Sequence, residues 1–305
     1  MSTLTIVVPC FNEEECINKF YETVEDILKD EDVKYKYIFV DDGSKDNTLN
    51  KVKELRTEDK KVNYISFSRN SGKEAAMYAG LKGAKGSDMT VIIDADLQHP
   101  PILIKEMIKK YNEGYKIVYT KQDSRKNEGV IRRSWAKAFY SFFNKHADVP
   151  MEQSTKDFML LSSDALDAFL SMPDEYRFTK GILSFVGFKR YCLEFDYIER
   201  EQGKSKWNFK KLLKYGISGL NQYSTFFLVV PKWTAIISFL ASITSVVLFL
   251  THVLEVQSFV LMLSISLLFV LTNIALYFVL YVLYSTRRET IKRPLYFVEE
   301  TSLDE

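Results

Sequence analysis

Asp94-Ala95-Asp96 stands at the end of the apolar run Thr90-Val91-Ile92-Ile93. In an extended strand, alternate residues share a face, so the two carboxylates are expected to point the same way. Paired carboxylates at the carboxyl end of a buried strand suit a hard divalent cation, Mg²⁺ or Mn²⁺, that keeps positions open for a diphosphate. Asp96 and Gln98 carry side-chain oxygens for such an ion, and Asp94 either ligates it or holds a sugar. The ion's chemistry would be to neutralise a departing diphosphate. His99 reads as a supporting residue rather than a ligand. A second acidic group, Asp41-Asp42-Gly43-Ser44-Lys45-Asp46, follows the apolar run Tyr37 to Val40. An exposed Asp there can accept hydrogen bonds from a uracil N–H or from ribose hydroxyls. The same residues are also ordinary turn chemistry, with Gly43 making the turn and Asp46 capping the next helix. Two acidic clusters after two strands favour a site over two unrelated turns.

The elements that must position these groups alternate along the first 120 or so residues. Strands are expected at Leu4 to Val8, Tyr37 to Val40, Val62 to Phe67, Thr90 to Ile93 and Tyr115 to Tyr119. Helices are expected at Glu13 to Lys29, Asp46 to Leu55, Lys73 to Gly83 and Ile102 to Asn112. In the first helix, Ile17, Phe20, Val24 and Ile27 recur at helical spacing. Strands joined by single helices predict right-handed βαβ units and a mostly parallel, Rossmann-like α/β sheet covered on both faces. Beyond residue 120 the pattern loosens. Gln122 to Arg133 is a polar, basic loop, and Trp135 to Lys145 an aromatic-rich helix. Thr155 to Leu161 is a strand, Ser163 to Leu170 a helix and Tyr191 to Arg200 a strand. Gln202-Gly203-Lys204-Ser205-Lys206 is a second basic loop.

The carboxyl-terminal third has a different character. Phe209, Leu212, Leu213, Ile217 and Leu220 recur at helical spacing beside Lys210, Lys211 and Lys214, as in a helix lying in a membrane interface. Pro231 to Leu254 carries one charge, Lys232, and Phe259 to Tyr284 carries none. Each is long enough to cross a hydrocarbon core of roughly 30 Å. With only Glu255-Val256-Gln257-Ser258 between them, they are expected to form a transmembrane hairpin. Lys232, Arg287, Arg288, Lys292 and Arg293 flank its ends and predict both termini on the cytoplasmic side. The expected order is a catalytic domain over 1–207, an interfacial helix over 208–225, membrane helices over 231–254 and 259–284, and a cytoplasmic tail over 285–305.

Composition narrows the class. The formal net charge of +1 gives no basic field for nucleic acid. Three cysteines (Cys10, Cys16 and Cys192) show no metal-ligand spacing and suit a reducing compartment. The amino terminus reads as a strand, so no cleaved signal peptide is expected.

Four segments occur in order: Val7-Val8-Pro9-Cys10-Phe11-Asn12-Glu13-Glu14, Asp41 to Asp46, Arg69-Asn70-Ser71-Gly72-Lys73-Glu74-Ala75-Ala76, and Asp94 to Pro101. As an ordered set they resemble the inverting glycosyltransferases of the GT-A fold. More narrowly, the chain is similar to the polyprenyl-phosphate glycosyltransferases, the group of the bactoprenol glucosyltransferases and dolichyl-phosphate mannose synthase, from residue 3 to about 290. The resemblance implies that Pro9, Phe11, Glu13, Asp41, Asp42 and Asp94 line the nucleotide, and that Asp94, Asp96 and Gln98 hold the metal. Thr155 to Leu160 matches a segment that usually reads Asp-Phe-Arg-Leu, making Asp157 the base beside the acceptor. Here Met159 stands where the family often has Arg. Arg125, Arg132, Arg133 and Ser134 fall where the family binds the lipid phosphate, and Arg200 with Lys204 and Lys206 in a loop that closes over the phosphates. Guanidinium groups grip phosphate with a planar fork, which suits an anionic lipid acceptor. A phosphate monoester is already mostly ionised at neutral pH, so Asp157 has the alternative role of orienting the acceptor or stabilising oxocarbenium-like charge.

The implied reaction moves a hexose from UDP-glucose or UDP-N-acetylglucosamine to undecaprenyl phosphate with inversion, at the inner face of the cell membrane. The alternatives are a GDP-mannose-using synthase and a non-catalytic sugar-nucleotide-binding membrane subunit. The hairpin would also suit packing against copies of itself in a homo-oligomer.

Overall fold

The computed structural model of the protein describes residues 1–122, 155–172, 179–195, 233–234, 236–237, 240, 254–291 and 294–303. The chain divides into two compact units: Met1–Ser141, Met151–Asn208 and Pro294–Glu305 form one, and Phe142–Pro150 with Phe209–Arg293 the other.

In the first unit, eight strands form one sheet: β1 (Ser2–Cys10), β2 (Val33–Asp41), β3 (Val62–Phe67), β4 (Met89–Ile92), β5 (Ile117–Gln122), β6 (Thr155–Ser162), β7 (Arg190–Phe195) and β8 (Val298–Thr301). Their spatial order is β7-β5-β6-β4-β1-β2-β3-β8. β1 pairs in parallel with β2 and β4, β2 with β3, and β5 with β7. β6 runs antiparallel between β4 and β5, and β8 antiparallel to β3. The sheet is therefore mixed and mostly parallel.

The helices are α1 (Ile17–Leu28), α2 (Thr48–Glu58), α3 (Lys73–Gly83), α4 (Leu103–Asn112), α5 (Ser163–Ser171) and α6 (Thr179–Phe185). Both faces of the central strands are covered, so their side chains are apolar without alternation. On one face, Leu4, Ile6 and Val8 of β1 and Tyr37 and Phe39 of β2 share a core with Phe20 and Val24 of α1 and Ile104 and Met107 of α4. On the other face lies α3. A Cβ on its Gly80 would run into Val7 and stand 3.1 Å from Val40, so the helix backbone lies directly on the sheet.

The second unit contributes α7 (Leu254–Ile291) to the described residues. Its stretch Leu267–Arg287 is long and apolar enough to cross a membrane, and none of it is buried. The linker expected over Glu255 to Ser258 is not a loop, because those residues belong to the first turns of α7. Nothing in Glu255-Val256-Gln257-Ser258 breaks a helix, having neither Gly nor Pro. The expected tail from 285 onward is likewise divided: it continues α7 to Ile291 and then supplies β8. The interfacial helix and the rest of the first membrane helix lie outside the described residues, apart from helical residues at 233–234, 236–237 and 240.

Candidate active site

Four loops meet at the carboxyl edge of β1, β2, β3 and β4. The loop after β1 carries Phe11, Asn12 and Glu13, all half-buried, and Asn12 takes φ 53°. It is laced to the turn after β2. The Asn12 amide donates to Ser44 Oγ at 2.9 Å, the Lys45 amide to Asn12 Oδ1 at 2.8 Å, and the Glu13 amide to Thr48 Oγ1 at 2.8 Å. Pro9, just before this loop, is also half-buried. The Cys10 thiol is buried, and burial pushes its pKa well up, with Asp41 adding to the effect. It is no nucleophile at this edge.

The exposed carboxylate expected from Asp41-Asp42 is corrected by the structure. Both residues are 3% exposed. Asp41 accepts from the Ser44 amide at 3.1 Å and from Ser66 Oγ at 3.1 Å. Asp42 accepts from the amides of Ser71 (2.6 Å) and Gly72 (2.9 Å). Burial raises the Asp42 pKa, and the two amide bonds offset only part of that rise. These carboxylates brace the carboxyl edge of the sheet from within. Sequence cannot reveal this, because the groups that occupy them come from β3 and the loop beyond it. Asp46 does support the next helix, accepting from the Thr48 amide at 3.1 Å and Thr48 Oγ1 at 2.6 Å.

The residues Ser71 to Lys73 join the two acidic clusters. Gly72 sits at φ +99°, a backbone angle that favours glycine, and a Cβ added there would meet nothing within 4 Å among the described residues. Lys73, the first residue of α3, follows at once. Its Nζ donates to Asp94 Oδ2 at 2.8 Å and to Asp157 Oδ2 at 2.7 Å. The three side chains are between a fifth and a third exposed. Burial works against the ammonium charge, but Asp157 and Asp94 outweigh it and raise the Lys73 pKa far above its ordinary value. Lys73 received no role from the sequence. A cue was present, since a cation at a helix amino terminus opposes the macrodipole and needs a tertiary reason to be there.

β4 ends at Ile92, earlier than the alternation of Asp94 and Asp96 required. Both Asp residues lie in the turn beyond it, with Leu97 at φ 56°. The alternation persists in burial alone: Ala95 is buried, while Asp94 and Asp96 are half-buried. Asp96 Oδ1 accepts from the Gln98 amide at 3.1 Å, a local turn bond that fixes its carboxylate. His99 is buried, and its ring stacks on Phe158 at 5.8 Å and meets Phe195 edge-on at 6.0 Å. Burial lowers its pKa despite Asp94, so the imidazole is neutral near pH 7. Among the described residues its Nδ1 has no hydrogen-bond partner, and it lies 3.7 Å from Asp94 Oδ2.

Among the described residues no three His, Cys, Asp or Glu side chains cluster at ligand geometry. A Mg²⁺-type ion asks for less, because it takes one or two carboxylates and completes its shell with water and phosphate. The oxygen donors of Asp96, Gln98 and Asp94 fit such an ion at a half-buried edge. Met159, in the Arg position of the resemblance, is buried in β6 opposite Ile92 and Tyr119. The residues expected to bind the lipid phosphate, Arg125, Arg132, Arg133, Ser134, Arg200, Lys204 and Lys206, lie outside the described residues.

A mostly parallel α/β sheet with acidic turns gathered at its carboxyl edge is the architecture of a GT-A-type glycosyltransferase. The chain belongs to Glycosyl transferase family 2, whose family model matches residues 5–167. It is 39% identical to the bactoprenol glucosyl transferase of Shigella phage SfV over 241 residues, 79% of this chain and 78% of that one. It is 36% identical to the glycosyltransferase CsbB of Bacillus subtilis over 244 residues, 80% of this chain and 74% of that one. Among solved structures, it is similar to glucosyl-3-phosphoglycerate synthase from Mycobacterium tuberculosis. That likeness has a TM-score of 0.47 and 18% identity, and covers 73% of this chain and 80% of the other.

Proposed function

We propose that this glycosyltransferase moves glucose from UDP-glucose to undecaprenyl phosphate, giving an inverted, β-linked lipid-phosphate sugar. The observation that carries the reading is the convergence of Asp94 and Asp157 on Lys73 at the carboxyl edge of the sheet. It puts the acid of the expected metal cluster and the acid of the expected acceptor site on one ammonium. The identity to bactoprenol glucosyl transferases supports the choice of sugar and lipid.

In this mechanism Pro9, Phe11, Glu13 and the braced Asp41-Asp42 turn form the edge that receives the nucleotide. Asp96, Gln98 and Asp94 would hold Mg²⁺ or Mn²⁺, which supplies charge neutralisation for the departing diphosphate. Asp157 orients the lipid phosphate, an acceptor that is already ionised and needs no strong base. Lys73 fixes Asp157 and Asp94 in one geometry and lowers the cost of holding two carboxylates beside an anionic acceptor. Arg125, Arg132, Arg133, Ser134, Arg200 and Lys206 take the acceptor phosphate. The long apolar helix α7 keeps the enzyme at the lipid, as one of two membrane helices with catalytic domain and termini on the cytoplasmic side. A homo-oligomer is compatible with this arrangement.

The test is direct. Full-length protein is incubated with radiolabelled UDP-glucose, UDP-N-acetylglucosamine and GDP-mannose, each with undecaprenyl phosphate, and the labelled lipid is identified. Label from UDP-glucose alone supports the proposal. Label from another donor replaces the sugar, and UDP binding without any labelled lipid rejects catalysis.

A further inference from the structure

We infer that the segment leading into β8 positions the nucleotide-binding edge, through Tyr296 and the Phe297 carbonyl at the end of β3; this deepens the proposed function and rests on residues 9–13 and 41–46 forming that edge. The segment follows α7 in the chain, and nothing in its composition marks it as part of a catalytic sheet. Yet it pairs with β3 through Ile65 opposite Thr301, Ser66 opposite Glu300 and Phe67 opposite Val298.

The residues on either side of β8 hold different parts of its surroundings. On the carboxyl side, the Tyr64 amide in the middle of β3 donates to Ser302 Oγ at 2.9 Å and the Ser302 amide to Tyr64 O at 3.0 Å, while Glu300 of β8 pairs with Lys53 of α2 at 2.6 Å. The residues just before β8 grip the end of β3. Tyr296 stacks on the buried ring of Phe67 with centroids 4.6 Å apart and planes 12° from parallel, and the Ser68 amide donates to Phe297 O at 3.1 Å.

Between these two sets of contacts the register shifts at Ser66/Phe67, with the extra residue, Glu299, on β8. Ser66 is the residue whose hydroxyl holds Asp41, at 3.1 Å. The bulge bends β8 where it faces Ser66 and Phe67, and such irregularities gather beside active sites.

Residue 68 then opens directly into the loop that carries the site. Asn70 Nδ2 donates to Asp42 O at 3.2 Å, and the Ser71 and Gly72 amides hold the Asp42 carboxylate. A Cβ on Gly43 would stand 2.7 Å from the Arg69 carbonyl carbon, so turn and loop are in close backbone contact. Close-packed backbone transmits displacement rather than absorbing it. Loosening the end of β3 therefore moves the turn that faces the nucleotide.

The experiment compares full-length Tyr296→Ala, Tyr296→Leu and Tyr296→Phe with Ser302→Ala, a change on the other side of β8. UDP affinity, donor and acceptor KM, kcat and melting temperature are measured in detergent. Tyr296→Ala and Tyr296→Leu are expected to weaken UDP binding and raise the donor KM by roughly three- to tenfold, the range one aromatic pair supports. Acceptor KM stays unchanged, and Tyr296→Phe retains wild-type affinity. Ser302→Ala lowers the melting temperature without moving donor KM, because a folding defect removes active enzyme instead of altering each site. Wild-type UDP affinity in both Tyr296→Ala and Tyr296→Leu overturns the inference alone. An equal rise in donor KM from Ser302→Ala overturns it too, showing a general stabilising strand. A wild-type protein that binds no UDP overturns the donor reading and takes this inference with it.

Discussion

Lys73 Nζ lies 2.7 Å from the Asp157 carboxylate, joining the start of α3 to the start of β6 across 84 positions of sequence. The same nitrogen lies 2.8 Å from Asp94. Two carboxylates sharing an ammonium at these distances are within about 5.5 Å of each other, where like-charge repulsion acts strongly at a part-buried edge. Lys73 thus places one positive charge between two carboxylates that would otherwise face each other.

Replacing that cation tests its role. Lys73→Met keeps most of the apolar stem and removes the charge. Its kcat for lipid-linked sugar formation is expected to fall by about a hundredfold, as for loss of one preorganised charge in an active site. Lys73→Arg keeps the charge and should recover part of the rate. Equal rates in wild type and Lys73→Met, from steady-state assays, would remove Lys73 from the mechanism.

The divalent-ion site makes its own prediction. Chelation with EDTA should abolish transfer, and added Mg²⁺ or Mn²⁺ should restore it. Asp96→Ala should lower kcat by roughly a hundredfold or more, the scale of a lost Lewis-acid charge effect, with excess metal giving little rescue. Melting temperature serves as the control, since the Asp96 carboxylate makes a local turn bond rather than a core contact.

Two glycines separate site geometry from core packing. Gly43→Ala puts a methyl group against the Arg69 backbone at φ +66°, a strained conformation costing about 1–3 kcal/mol. It should weaken UDP binding as well as lower the melting temperature. Gly80→Ala drives a methyl group into Val7 beneath α3. Overpacking of this kind costs about 1–3 kcal/mol, so the melting temperature should fall while donor KM holds. Calorimetry alongside donor kinetics distinguishes the two.

Asp88 supplies a pH dependence remote from the site. It accepts from the Thr3 amide and from Thr3 Oγ1, each at 2.8 Å, and these bonds pull its pKa below the ordinary 3.8. A carboxylate with a lowered folded-state pKa stabilises the fold above its unfolded value. That contribution disappears as pH falls through the folded value. Wild type should therefore exceed Asp88→Asn in urea midpoint near pH 6, and the gap should narrow as the pH falls below the ordinary 3.8. A gap that persists at the lower pH would assign the effect to hydrogen-bond geometry rather than ionisation.

Much of the fold was legible because its signals are local. The runs at Leu4 to Val8 and Val62 to Phe67 became β1 and β3 because burial on two sheet faces leaves an apolar signature, and the alanine-rich run Lys73 to Gly83 became α3 on its helix-forming composition. The direction of β6 was not legible, since a buried apolar strand reads the same whichever way it runs. β8 was not legible either. It is a short edge strand, mostly exposed and acidic, whose identity depends on β3 lying beside it. The site divides in the same way. Asp94 and Asp96 were singled out by residue type and order and Asp157 by resemblance, whereas Lys73 was passed over and Asp41-Asp42 were expected to be exposed.

By itself, the sequence determined which residues carry charge at which loop and which helices are apolar enough to seek lipid, because residue type and spacing are properties of the chain. Only the tertiary structure decided which charges meet. Lys73 finds Asp157, Asp42 finds the Ser71 and Gly72 amides, and Tyr296 finds Phe67 because separate strands end side by side. Hydrogen bonds and ion pairs act over a few ångströms of space, a distance that position along the chain does not encode.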